Sequence, residues 1–161
     1  MTTSSINELL SIGHDTAFHI KNIATVHVEY VATLQGQNSE TEHWLEVSGS
    51  RTMQNESIPF GTNKVYVPAR FAGIEPLSES TNISVFQAIE QAFEVSVCRV
   101  TQMISVVQCP KNDACIMGIA AGTAVLQIDA TLFVEDDILK ELSVARFDPA
   151  RFRLSTDVAI E

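Results

Sequence analysis

The sequence predicts an α+β domain in which a six-stranded, mainly antiparallel sheet is covered by helices. Two observations carry this. Residues 5–67 and 84–147 repeat one pattern at an offset of about 80 residues, so the chain reads as duplicated α-β-β-β units inside one pseudo-symmetric domain. Within each copy a helix-capping signature gives way to apolar residues at every second position, the period of a strand with one buried face.

Each copy opens on Ser followed three residues later by Glu or Gln: Ser5-Ile6-Asn7-Glu8 and Ser84-Val85-Phe86-Gln87. Such a pair satisfies orphan N–H groups at a helix start. Ile6, Leu9 and Leu10 give the first helix its apolar side, and Gly13 is its expected stop. Val85, Ala88, Ile89, Ala92 and Phe93 form one stripe along the second. An extended stretch follows in each copy, Phe18-His19-Ile20 and Val95-Ser96-Val97. Short helices are expected over 27–35 and 111–118, stopped by Gly36 and Gly118. The next strands begin at Trp44-Leu45-Glu46-Val47 and Val125-Leu126-Gln127-Ile128; in the latter Leu126, Ile128, Ala130 and Leu132 point one way, Gln127, Asp129 and Thr131 the other. Gln54-Asn55-Glu56 and Glu135-Asp136-Asp137 read as tight turns into the last strands, Ile58 to Val67 and Ile138 to Phe147. Pro68 to Asn82 is a connecting loop, and Arg151 to Glu161 is expected as an edge strand or a frayed end.

A chain of 161 residues is one domain, and 45% hydrophobic with 19% charged residues is ordinary for a globular one. The net charge of −10 argues against direct nucleic-acid binding, which needs clustered Lys and Arg. No apolar run is long enough to span a membrane, and the first residues lack a signal-peptide pattern. Cys98, Cys109 and Cys115 are odd in number and lack CxxC spacing, so they are expected as small, buried, reduced thiols in a cytoplasmic protein. His14, His19, His27 and His43 lack metal-ligand spacing, and no glycine-rich phosphate loop, GxSxG elbow or zinc motif occurs. Neither cofactor nor metal is expected, and no nucleophile–base pair can be named.

Two charged residues break the apolar alternation. Arg51 shares a strand face with Leu45, Val47, Gly49 and Met53, and Glu141 shares one with Leu139, Ser143, Ala145 and Phe147. A buried charge needs a partner. Arg51 is therefore an anchor for a ligand carboxylate or phosphate, an edge residue reaching water, or the internal partner of Glu141. Gly61, Asn63, Val65 and Val67 mix small and polar residues as a pocket wall does. Ser84 caps a helix whose N-terminus could equally hold an anion.

The two-copy pattern, closing on Glu141-x-Ser143, Phe147 and Arg151-Phe152-Arg153, resembles the UTRA domain, the effector-binding domain of HutC-type regulators in the GntR superfamily. Ser84-Val85-Phe86 stands where that family has a Ser-Leu-Tyr helix start, and Gly49-Ser50-Arg51 where it has an Arg-x-Arg strand. The resemblance implies a chorismate-lyase-like fold with strand order 1-2-3-6-5-4, a small-molecule site between sheet and helices, and a homodimer. It implies ligand-binding roles for Arg51, Asn63, Ser84, Phe86, Glu141 and Phe147. Gly49 replaces an Arg, Phe86 and Phe147 replace tyrosines, and Asn63 replaces a Glu. With those groups gone, an organic acid or zwitterion is expected as effector rather than a phosphosugar. DNA would be reached only through a winged helix-turn-helix, which nothing before Ser5 could encode. The alternatives are a chorismate-pyruvate-lyase-like enzyme, whose fold is shared, and a stand-alone modulator of a regulator.

Overall fold

A computed structural model describes residues 16–27, 43–69, 97–134, 138–154 and 159–160. Six strands, β1 (Thr16–His27), β2 (His43–Met53), β3 (Gly61–Pro68), β4 (Arg99–Gln108), β5 (Ala124–Val134) and β6 (Ile138–Phe147), form one sheet in the order β1-β2-β3-β6-β5-β4. Each pairing is antiparallel. The two copies thus meet at β3 and β6, and β1 and β4 are the edges. One helix, α1 (Lys111–Met117), lies between β4 and β5.

Register partners share a face, so the pairings resolve the sheet into rows. Phe18, Arg51, Gly61, Phe147, Leu126 and Val106 form one row across all six strands. The next row on that face is Ile20, Gly49, Asn63, Ala145, Ile128 and Ile104. On the opposite face Trp44, Tyr66 and Leu142 form a buried cluster joined by Val26 and Phe133. Trp44 is wholly buried, and an aromatic of this kind contributes about 2–3 kcal/mol by leaving water. Burial and a hydrogen bond to Glu46 push the Tyr66 hydroxyl well above its ordinary value.

The duplicated order and the α1 segment agree with the sequence. Gly118 ends α1 in the left-handed region (φ 67), where a residue without Cβ is unstrained. The turn after β2 is closed by Glu56 N–H donating to Met53 O at 3.2 Å, with Asn55 at φ 66.

Several boundaries differ from the expectation. β1 is 12 residues long and runs through His27, so no helix starts there. β3 begins at Gly61; Ile58 to Phe60 belong to the loop. β4 begins at Arg99, two residues after Val97; Val95 and Ser96 of the expected extended stretch lie outside the described residues. It is an edge strand exposed on both faces, so its sequence lacks the alternation that marks a half-buried strand. Residues 151–154 make no strand: after a turn they fold back onto the sheet, with Phe152 and Leu154 packed on the cluster around Phe60 and Phe147. Cys109 is buried as expected, and burial raises its thiol; Cys98 and Cys115 are exposed. The helices expected over 5–13, 28–35 and 84–93, and the turn at 135–137, lie outside the described residues.

Candidate functional site

Period-2 alternation puts Arg51 on a face with Phe18 and Thr16 of β1, and the side chain turns that way. Its guanidinium stands 5.3 Å from the Phe18 ring centre. Among the described residues its hydrogen bond goes to Thr16 Oγ1 at 2.8 Å. A guanidinium carries five donors, and among the described residues one hydroxyl engages Arg51, which leaves donors for an acceptor from a ligand. Burial disfavours its charged form and pulls its pKa down to about 10. At neutral pH it is a cation in a poorly solvating setting, where a carboxylate or phosphate is held strongly.

One row on, Asn63 Oδ1 accepts from Ser143 Oγ at 3.1 Å, across the seam between the two copies. Gly49, Gly61 and Ala145 surround this pair. The result is a floor of small residues with one cation and one polar pair. Gly49 has a steric cause. A Cβ there would fall far inside contact distance of the His19 carbonyl oxygen and 2.9 Å from Phe18 Cε2. β1 carries a register shift between Ile20 and Asn22 and closes down on β2 at this point. An Arg side chain cannot occupy position 49 while this β1 backbone stands.

The sequence-predicted residues are brought to one face but not to one point. Phe147 lies in Arg51's row, and its ring stacks on Phe152 at 4.0 Å between centres and on Phe60 at 5.9 Å. Glu141 is buried (3% exposed) and pairs in register with Leu132. It lies six residues along β6 from Phe147, which is about 20 Å along a strand. The internal Arg51–Glu141 pair is therefore not formed: alternation fixes the face, whereas register sets the distance. Arg51 does not snorkel either, being 9% exposed. Ser84 and Phe86 lie outside the described residues. Sequence reasoning missed Thr16 and Phe18 as Arg51's companions; their two-residue spacing on a paired strand was the available signal.

The UTRA domain family matches residues 38–153, well over half of the sequence. The chain belongs to the UTRA domain family. It is a ligand-sensing regulatory domain of a transcriptional regulator. No curated protein sequence matches it. Among solved structures, the effector domain of PhnF from Mycobacterium smegmatis is similar with a TM-score of 0.77 at 14% identity, over 97% of this chain and 95% of that one. A GntR-family transcriptional regulator from Bacillus cereus gives 0.73 at 16%, over 90% and 99%. YydK from Bacillus subtilis gives 0.72 at 13%, over 90% of this chain and 62% of its own, so this UTRA domain spans less than two thirds of that protein. At such identities the likeness establishes the fold.

The closing triplet of the UTRA pattern has a structural explanation here. Arg151 donates to Asp148 Oδ2 at 3.1 Å, to Ile58 O at 2.9 Å, to Pro59 O, and to Met117 O at 3.3 Å. It ties the C-terminal turn to the β2–β3 loop and to the end of α1. Phe152 completes the stack on Phe147. The opposite face carries a cavity of about 530 Å³ between α1 and the strands of both copies, lined in part by Lys21, Lys64 and Arg146.

Proposed function

We propose that this UTRA domain senses a small organic acid or zwitterion whose carboxylate is held by Arg51, within a GntR-type regulator of the HutC kind. The observation that carries the reading is the buried guanidinium, whose hydrogen-bond partner among the described residues is the Thr16 hydroxyl, beside the Asn63–Ser143 pair on a floor of small residues. Asn63 would orient the ligand's polar groups. By the UTRA resemblance, Ser84 and Phe86 would close the site, with Glu141 and Phe147 at its margins. The role is sensing rather than catalysis. Ligand occupancy would shift the balance between conformers that orient attached winged helix-turn-helix domains differently. The test is a thermal-shift screen of carboxylates, amino acids and phosphosugars. Carboxylate compounds should raise the melting temperature, since a ligand at 100 times its Kd stabilises the fold by about 2.7 kcal/mol. A response to phosphosugars alone would sink the assignment.

The homodimer is proposed at the β4 edge. Val100 to Gln108 carries no charged residue, and Met103, Ile104 and Val106 are 67%, 47% and 71% exposed. An uncharged edge strand with apolar side chains on both faces pairs with another strand unless something blocks it. A second copy approaching antiparallel would continue the sheet. Sedimentation should report a dimer for the parent chain and a monomer for a Met103→Lys/Val106→Lys variant. A monomeric parent chain, or an unchanged variant, would rule this edge out.

A further inference from the structure

The cavity under α1 lies on the face opposite Arg51, and its charge is unusual for this protein. The chain has 10 Lys and Arg against 20 Asp and Glu, yet among the described residues Lys21, Lys64 and Arg146 converge here against one lining carboxylate, Asp113. That carboxylate is already engaged by Arg146 Nη1 at 2.7 Å.

The convergence follows from register. Ser48 pairs with Lys64, Ser50 with Thr62 and Thr62 with Arg146, so these side chains share a face. Lys64 and Arg146 are diagonal neighbours across β3 and β6, about 7–8 Å apart at Cα. Lys21 comes in from β1 at the register shift, next to Ser48. Arg146 uses donors on Gln127 Oε1 at 2.9 Å and on Asp113, which fixes its plane. One strand over, Asp129 is engaged by the Gln127 amide at 3.2 Å. With Arg146 paired to Asp113, Lys21 and Lys64 leave the space with a net positive charge, which a bound anion would compensate. A volume of about 530 Å³ falls in the range of small-molecule sites. The hydroxyls of Ser50 and Thr62 add neutral donors between the cations.

We infer that this cavity is a second ligand site, separate from the Arg51 face, and that it takes a compact dianion. Lys21 and Lys64 supply the charge, Arg146 supplies oriented N–H donors, and Thr62 and Ser50 complete the hydrogen bonding. The site stands whether or not Arg51 binds an effector.

The test is calorimetric titration of the whole chain with succinate and, separately, inorganic phosphate, at fixed ionic strength. Three proteins are compared: the parent chain, Arg51→Met, and Arg51→Met with Lys21→Gln and Lys64→Gln added, so that any acid held at Arg51 drops out of the deciding comparison. Both lysines are exposed, so their loss should leave the fold intact. At least one probe should give a saturable isotherm with the parent chain. Arg51→Met should still bind it, and adding the two lysine substitutions should weaken that binding about tenfold or more. The assignment is overturned if neither probe binds Arg51→Met, or if the added lysine substitutions leave its binding unchanged.

Discussion

Replacing Gly49 by alanine should lower the free energy of unfolding by about 3 kcal/mol or more, a large fraction of a typical domain's stability. The added Cβ would meet the backbone oxygen of His19 and the rigid ring of Phe18. Neither is the far end of a flexible side chain. Making room means moving β1 away from β2, and Ile20 and His19 are paired there with Gly49 and Ser50. The change should show as a lower urea midpoint with an unchanged slope. Ser48→Ala, one residue away, serves as the control and should stay within about 0.5 kcal/mol. Equal stability of the Gly49→Ala protein would mean that β1 does not close on β2 as described.

Replacing Arg51 by methionine should separate function from stability. Removing one partner of a desolvated charge pair costs about 2–5 kcal/mol in binding, so the effector response should disappear at concentrations that saturate the parent chain. Folding should lose little, or gain. Burying a charge is expensive, and its replacement by an apolar residue of similar volume is often neutral or stabilising by about 1–4 kcal/mol. The Thr16 hydroxyl loses a partner, worth about 1 kcal/mol against that gain. The pH dependence supplies the sign. Burial holds Arg51 down at about 10 in the fold, below its unfolded value, so the unfolded chain binds that proton more tightly. The cost is fully present below about pH 10 and is relieved as pH rises through that value. The stability gap between variant and parent should therefore be widest near neutrality and narrow above pH 10. Tyr66 titrates in both proteins and cancels in the difference. A variant several kcal/mol less stable at neutral pH would identify Arg51 as a structural residue instead.

Periodicity carried most of what was legible. A two-residue repeat states which face a side chain occupies, and it placed Arg51, Asn63, Glu141 and Phe147 together on one. It does not state how far along the strand two faces meet, and so the Arg51–Glu141 pairing failed. The run of β4 to Gln108 was not legible, because a strand with Met103, Ile104 and Val106 exposed shows no in–out alternation. Phe147 was readable as an aromatic at the right spacing, but not as the middle of a stack, since Phe60 and Phe152 come from separate loops. The cavity under α1 was invisible because each contributor, taken alone, is a routine solvated strand residue.

The register shift in β1 bears on how this domain could change its ligand. Lys21 is the residue left over between the paired Ile20 and Asn22. Lys21 follows a stretch in which the His19 carbonyl stands against Gly49 and denies a side chain to the position where the family pattern has its first arginine. The same residue extends into the cavity on the other face. At one point in β1 the chain thus closes one face to a side chain and offers a cation on the other. A side chain at position 49 would have to displace the His19 carbonyl, so an arginine there would need β1 to move as well.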